Sequence, residues 1–490
     1  ATYTRPTSTS STSTPSTSTP TTPTPTTGHS NHGVSRFTYP SPNDTRPHGY
    51  SRLAVAYSNP IRREAIVPTF EQVIKDPVSV PKAVVDRAYT GIAEYLETMF
   101  QLFREDFLRS IRATVPALRS GNKEWVVLSV GGERSEIVAQ GNEPSRLASR
   151  QTDTWEQLKH DQWVLLSRDN FQRDIVACLI FRGRGQSRDT FKLKPVARDK
   201  LEEMVEYTLA EQSSSYLMAY KGVLEQYKSA AVPMSKYVVE LQRSVSAPAT
   251  VTRSYESVQM GGQKFFLRSP DNIPRHSLPG YPIPLDENQI SVVYDAMQRE
   301  VALIQGPPGT GSIVSIVEEE LEEDCECASG KTFVGVHIAA MICENRARLG
   351  IKTPILVVCF KNFAVDEFLK KLHEKLLVLV QEGLLKHDGP LVKRAGGACN
   401  DEYILENDLL LGGASVTEMQ RTLVIGATTT GAATSSKIRK CCSQVVIVEE
   451  AGEVLEQHVV ASLTNKLEHL IMIGDHQQLR PAPGKTDRRP

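Results

Sequence analysis

An α/β fold, a parallel sheet with helices on both faces, is predicted for the C-terminal part of this 490-residue chain. Three observations carry that expectation. From about residue 284 onward, short apolar runs alternate with stretches of helical spacing. A glycine-rich turn, Gly306-Pro307-Pro308-Gly309-Thr310-Gly311, follows directly on the apolar run Val301 to Gln305. Farther along, the apolar run Gln444 to Val448 ends in two adjacent carboxylates, Glu449 and Glu450.

Taken in order, residues 1–50 are dominated by Thr, Ser and Pro and hold too little apolar surface to offset the entropy of ordering, so they read as a disordered tail. Residues 51–119 read as helical. The stretch Lys82 to Leu118 carries one broad apolar stripe that includes Ile92, Tyr95, Leu96, Met99, Phe100, Phe103, Phe107 and Leu108. Between 120 and 278 the texture changes to short apolar runs, Trp125 to Val130, Trp163 to Ser167 and Asp174 to Phe181, separated by polar turns. This reads as a β-rich accessory region interrupted by a helix over Leu201 to Tyr227, with a basic turn at Arg182-Gly183-Arg184-Gly185 that reads as a solvated loop. Residues 279–490 then supply strands at Val301 to Gln305, Ile355 to Phe360, Thr422 to Ala427, Gln444 to Val448 and His469 to Gly474, with a crossover helix over Ala364 to Leu385.

Composition narrows the partners. A formal net charge of −1 confines any nucleic-acid surface to a local patch. The eight cysteines show no zinc-ligand spacing and read as thiols of a reducing compartment. No apolar run approaches membrane-spanning length, so the expectation is a protein of the cytoplasm or nucleus with no membrane partner.

The chemistry-bearing residues lie in the α/β region. A phosphate loop needs a strand, a run of backbone N–H groups that curls round the anion, then a lysine and a hydroxyl at a helix start. Here the loop Gly306 to Gly311 is followed by 19 residues, SIVSIVEEELEEDCECASG, before Lys331-Thr332. Removing residues 312–330 restores GPPGTGKT. The insert holds seven acidic residues, which beside a triphosphate would repel it. Two readings stay open: a retained intron, since the reading frame is kept and Gly-Ser and Ser-Gly can encode splice signals, or a genuine acidic surface loop in a degenerate site. Strand-end carboxylates Glu449 and Glu450 suit a Mg²⁺ ligand and a general base. Gln478, in Gly474-Asp475-His476-Gln477-Gln478-Leu479-Arg480-Pro481, is placed to sense a γ-phosphate, and Gln289 could present donor and acceptor to an adenine edge.

These motifs, LDENQ, LIQGPPGTG with GKT, PILVVCFKNFAVDEFL, VIGATTTGA, VIVEEAGEVLE and GDHQQLRP, in that order, resemble those of superfamily 1B helicases. The branch is that of the nonsense-mediated-decay helicase and, within it, of the zinc-finger-containing helicases of RNA silencing. The resemblance is strong over 284–481 and weaker upstream. It implies a RecA-like P-loop NTPase domain and ATP with Mg²⁺ as cofactors. Gly306, Pro307, Pro308, Gly309, Thr310, Gly311 and Lys331 would hold the phosphates, Thr332 and Glu449 the Mg²⁺, and Gln289 the adenine. Glu450 would be the base and Gln478 the γ-phosphate sensor. Asn362, Asp366, Thr428, Thr429 and Thr430 would face single-stranded RNA or DNA, with helix or turn capping as the alternative job for Asp366 and Thr428.

Three departures stand out: Glu449 replaces the usual aspartate, Lys361 stands where a small hydroxyl residue is usual, and Gly452 is expected to loosen the turn after the acids. The family's second RecA-like domain and zinc fingers have no counterpart before residue 490, and the chain starts at alanine, so the expectation is a fragment of a longer protein. The resulting reading is an ATP-dependent RNA or DNA helicase of RNA silencing or surveillance, partnered by proteins of those pathways and expected to be inactive as written because its phosphate loop is split and the second RecA-like domain is missing. A non-catalytic nucleic-acid-binding or scaffold protein of a silencing complex is the alternative. A small-molecule P-loop kinase is disfavoured, because Gln289, Asn362 and the 474–481 motif would then have no job.

Overall fold

The computed structural model describes residues 60–63, 66, 81, 87–120, 126–131, 137–141, 163–173, 175–181, 190–195, 205–211, 217–229, 232–252, 257–306, 314–315, 330–396, 399 and 401–475. The tail, Pro307 to Gly311, most of the insert, the 182–185 turn and Gln478 lie outside the described residues.

The apolar stripe becomes one long helix, α1 (Ile92–Arg119). Its N-terminal half buries Tyr95, Leu96, Met99, Phe100 and Phe103; its C-terminal half buries Phe107, Leu108, Val115 and Leu118. The second set packs on a closed antiparallel barrel of six strands, β1 (Val126–Gly131), β2 (Ile137–Gly141), β3 (Trp163–Ser167), β4 (Val176–Phe181), β5 (Thr190–Pro195) and β6 (Val205–Glu211), in the order β1-β2-β5-β4-β3-β6. Leu165, Ala177 and Leu179 face α1, while the alternate residues Val164, Leu166, Cys178 and Ile180 are buried on the other face. Cover on both faces explains why β3 and β4 read as unbroken apolar runs.

One expectation fails here. The span Leu201 to Tyr227 is not a single helix: its first part is β6, and only Leu217–Ser229 is helical, as α2. In β6, Tyr207 and Leu209 are buried with Thr208 between them, a period of two, and the strand closes the barrel between β1 and β3. Tertiary pairing overrides the helix-forming residues just upstream. Helix α2 lies along α1, burying Val223, Leu224 and Tyr227.

A short hairpin, β7 (Val258–Met260) and β8 (Gln263–Phe265), leads through α3 (Glu287–Gln298) into the α/β part. Its sheet has the order β10-β9-β15-β14-β11-β13-β12, from β9 (Val301–Gln305), β10 (Val314–Ser315), β11 (Ile355–Cys359), β12 (Val392–Arg394), β13 (Val424–Thr428), β14 (Val445–Val448) and β15 (His469–Gly474). Six of these strands run parallel. The seventh, β10, lies in the insert and pairs antiparallel with the edge of β9. Helix α4 (Lys331–Glu344) is buried from Val334 to Cys343, a helix apolar all round and hence interior. Helix α5 (Asn362–Gln381) buries Phe368, Leu369, Leu372, Leu376 and Leu379 on one face, as its spacing predicts. The parallel sheet with its helices is the RecA-like α/β architecture expected from the sequence. The short strand β12 carries too few apolar residues to have signalled itself.

Candidate nucleotide and nucleic-acid site

In a parallel sheet the strands' carboxyl ends share one edge, and ligands gather there. The ends of β9, β14 and β15 deliver Gly306, Glu449 and Asp475 to that edge, and the N-terminus of α4 delivers Lys331 and Thr332. Lys331 Nζ donates to the Gly306 carbonyl at 2.7 Å and lies 4.0 Å from Asp475 Oδ2. Thr332 Oγ1 donates to Glu449 Oε1 at 2.6 Å. The two halves of the phosphate loop, 25 positions apart in sequence, therefore meet in space. Packing of α4 under the sheet sets this, since Gly335 lies against Ile473 and Phe368.

Glu449 is buried, and burial pushes its carboxyl up to about 7. Its second oxygen, Oε2, has no hydrogen-bond partner among the described residues. A buried, half-satisfied carboxylate beside a helix-start hydroxyl is a hard-oxygen donor set that suits Mg²⁺. Glu449, Glu450 and Asp475 gather three carboxyl groups beside the Lys331 ammonium, and a divalent cation would offset their charge before a triphosphate could approach. The residues present thus fit the group the motifs imply.

Glu450 adopts a left-handed backbone, φ 54° and ψ 41°, an uncommon conformation for a residue with a side chain. Burial raises its pKa, while Lys331 and Lys361 pull it down. Its side chain lines a cavity of about 260 Å³ with Thr332, Lys361, Phe363, Glu367 and Glu453. Lys361 Nζ reaches Glu453 Oε2 at 2.6 Å, tying the end of β11 to the turn after the acids. That turn is tight rather than loosened by Gly452: a Cβ at Gly452 would overlap the Asp475 carbonyl, and one at Gly474 would stand 2.6 Å from Gly452 N. Glycine here permits the two strand ends to touch.

Several expected site residues have structural work. Gln289 is 6% exposed and completes a capping box on α3: its N–H donates to Asp286 Oδ1 at 2.8 Å, and its Oε1 accepts from Asp286 N at 3.2 Å. Asp366 does not face the surface. It is 5% exposed and accepts from Arg394 Nε at 2.8 Å, and Arg394 itself is 1% exposed. Arg394 also donates to Asn362 Oδ1 and Ala395 O, both at 2.6 Å. Asn362 remains exposed between the exposed Phe360 and Phe363. Thr428 caps the short helix α6 (Thr429–Thr434), accepting from Gly431 N at 3.1 Å. Thr429 is fully buried, which removes it from any strand-facing surface, whereas Thr430 is half-buried beside it. Arg394 is a site-organising residue the sequence reading missed; a buried arginine ending a three-residue strand leaves no local signal.

Helix α7 (Glu456–Ser462), six residues after Glu450, carries the contact to the accessory region. Tyr95 donates to Glu456 Oε1 at 2.7 Å, and His458 lies edge-on between Phe103 of α1 and Phe360 after β11. The strand end that bears the acids is thus packed, through one short helix, against the helix that carries the barrel.

Residues 413–483 match the family model described as an AAA domain. The chain is 26% identical over 396 residues to the human NFX1-type zinc finger-containing protein 1, covering 70% of this chain and 19% of that protein. It is 24% identical over 363 residues to the Schizosaccharomyces pombe helicase required for RNAi-mediated heterochromatin assembly 1, covering 69% and 32%. The ATP-dependent helicase upf1 of the same yeast is 26% identical over 230 residues, covering 42% and 23%. The chain therefore spans a third or less of the length of these relatives. No helix among the described residues is long and apolar enough to cross a membrane. Six ordered motifs, a parallel sheet that gathers them at one edge and these likenesses lead to one conclusion: the chain is similar to the superfamily 1B helicases.

Proposed function

We propose that this chain provides the ATP-binding domain, and one side of the nucleic-acid track, of an ATP-dependent helicase that moves on single-stranded RNA or DNA in RNA silencing or RNA surveillance, in the cytoplasm or nucleus. The observation that carries the reading is the convergence of Lys331, Thr332, Glu449 and Glu450 at one sheet edge. Lys331 would exchange the Gly306 carbonyl for β- and γ-phosphate oxygens, and the loop Gly306 to Gly311 would present its N–H groups to them. Mg²⁺, bound by Thr332 and by Glu449 through water, would supply charge neutralisation between the phosphates. Glu450 would take the proton of the attacking water, its raised pKa bringing it nearer to neutrality, and Gln478 would report the γ-phosphate. Asn362, Lys361 and Thr430 would grip the sugar-phosphate backbone without reading sequence. Asp366 and Thr429 are left out of that surface because they are buried.

Fluorescent ATP titrated with Mg²⁺ into the full chain, into a form lacking residues 312–330 and into Lys331→Ala tests the reading. Binding by the first two, tighter in the second, with loss in the third, supports it. The acidic insert favours the scaffold reading instead, and retained binding of single-stranded RNA with no nucleotide binding in either of the first two forms would establish that reading in its place.

A further inference from the structure

Away from the nucleotide site, a second group of ionisable side chains joins α4, α5 and the segment leading to α3. Leu278-Pro279-Gly280-Tyr281 forms a closed turn, Leu278 N donating to Tyr281 O at 3.0 Å and Tyr281 N to Leu278 O at 2.7 Å. Gly280 takes φ +74°, and a Cβ there would stand 2.8 Å from Leu379 on α5, so both the turn and its seat require glycine. On the same helix, four residues before Leu379, Lys375 reaches over the turn. Its Nζ donates to Gly280 O at 2.8 Å, lies 4.4 Å from the centroid of the Tyr281 ring and stands 3.4 Å from His337 Nε2 on α4.

Among the described residues, every group facing this ammonium is neutral. His337 Nδ1 lies 2.9 Å from Phe333 O, and burial, with the Lys375 charge beside it, holds the ring neutral. Tyr281 is wholly buried, and its hydroxyl turns away toward Glu344 Oε2 at 3.4 Å. That carboxylate is itself engaged by Gly261 N and Gly262 N at the hairpin tip. One turn back on α5, Lys371 is paired with Glu367. Lys331, Lys361 and Lys393 likewise have carboxylates within 4.0 Å. Lys375 has a carbonyl, a π-face and an imidazole instead. Burial, with no counter-ion among the described residues, favours the uncharged amine and brings its pKa down to about 7.

We propose that Lys375 is a nucleophilic lysine and an acylation site for activated acyl groups, thioesters or mixed anhydrides, and that its acylation releases the 278–281 turn from α5. The neutral amine attacks the acyl carbonyl carbon. The N–C bond forms, the C–S or C–O bond breaks, the thiolate or carboxylate leaves with the electron pair, and the surplus amine proton passes to water. The amide so formed has lost the positive charge that sits over Tyr281 and two of the N–H groups that meet Gly280 O and His337 Nε2. The turn lies five residues before Asp286 and the capping box of α3, so its release would act on the segment that carries Gln289.

Trace labelling of the folded full chain with deuterated acetic anhydride from pH 6 to 10, read by peptide mass spectrometry, tests this. Lys375 should label with a midpoint near 7, well below the value of about 10.4 usual for a solvated lysine side chain. At pH 7.5 it should react on the order of tenfold faster than a solvated lysine, after allowance for its lower intrinsic nucleophilicity. A midpoint shared with the exposed lysines, or labelling of Lys375 only after denaturation, would overturn the assignment. Hydrogen exchange at the Leu278 and Tyr281 amides of the acetylated fraction tests the second half: faster exchange supports release of the turn, and unchanged exchange refutes it. Lys375→Arg, which keeps charge and donors, should leave that exchange slow, whereas Lys375→Gln should speed it.

Discussion

Replacing Asp366 by alanine takes away the one carboxylate that, among the described residues, pairs with a guanidinium that is 1% exposed. Arg394 would keep its bonds to Asn362 Oδ1 and Ala395 O but hold an uncompensated charge under α5. Breaking a buried pair from one side costs about 3–5 kcal/mol, most of it the penalty on the charge left behind. For an α/β region of this size that is a fall in the thermal midpoint on the order of 10 °C. Two measurements on Asp366→Ala separate a structural from a strand-binding role: thermal unfolding followed by far-ultraviolet circular dichroism, and anisotropy of labelled single-stranded RNA at a temperature where the variant is folded. The geometry predicts the first to change and the second to hold. Asp366→Leu combined with Arg394→Met should recover much of the loss, because it removes both charges together. An unchanged midpoint with weakened RNA binding would refute the reasoning and return Asp366 to the nucleic-acid surface.

Three further outcomes follow from the same geometry. Tyr95→Phe removes the buried hydroxyl that donates to Glu456 Oε1 and should cost about 0.5–1.5 kcal/mol in denaturant unfolding; no loss would mean that α1 and α7 are not joined there. Gly452→Ala sets a Cβ against the Asp475 carbonyl and should displace the Glu449-Glu450 turn, weakening Mg²⁺–nucleotide binding more than overall stability. His337, His458 and His469 are buried and held neutral, with pKa values pulled down to about 3, 4 and 4 by burial. Their contribution to stability is complete above the unfolded value of 6.5 and is lost as pH falls toward 4, by up to about 3 kcal/mol for each of the last two. Unfolding free energy should accordingly drop below pH 6.5, and His469→Asn, which can still donate to Ala296 O, should flatten that drop.

The strands at Val301–Gln305 and His469–Gly474 were legible to the residue, because unbroken apolar runs bounded by polar groups have one reading in an alternating pattern. The strand β6 was not, since Leu201, Glu202, Glu203 and Met204 before it are helix formers and only the barrel's need for a partner between β1 and β3 decides its state. The chemical residues divide in the same way. Lys331, Thr332, Glu449 and Glu450 could be named from spacing because their geometry is set by local strand-to-turn and turn-to-helix junctions. The burial of Asp366 depends on Arg394, 28 residues away on a short strand, and no local pattern shows it. Gln289 is different again: Asp286-x-x-Gln289 is a visible capping-box signature, so its structural role could have been found in the sequence.

What residues 312–330 cost the nucleotide site can be worked out from the parts they separate. They fall after Gly311, so the backbone run Gly306 to Gly311 stays continuous in sequence, and only its link to Lys331 is lengthened. Lys331 and Thr332 owe their positions to α4, buried from Val334 to Cys343, and to the Glu449 contact, none of which depends on the length of that link. Between Gly306 and Lys331 there are 24 residues, against 5 without the insert. Closure entropy rises as (3/2)RT ln n, which makes the longer link about 1.4 kcal/mol costlier, roughly tenfold in affinity. Seven acidic residues near a triphosphate add a repulsion that is screened as the Debye length shortens. The two costs separate by salt. Comparing Mg²⁺–ATP affinity of the full chain with that of the form lacking 312–330, charge repulsion predicts that the gap narrows as ionic strength rises. A gap near tenfold at every ionic strength would assign the penalty to loop entropy, and no gap at all would mean that neither cost is carried by the insert.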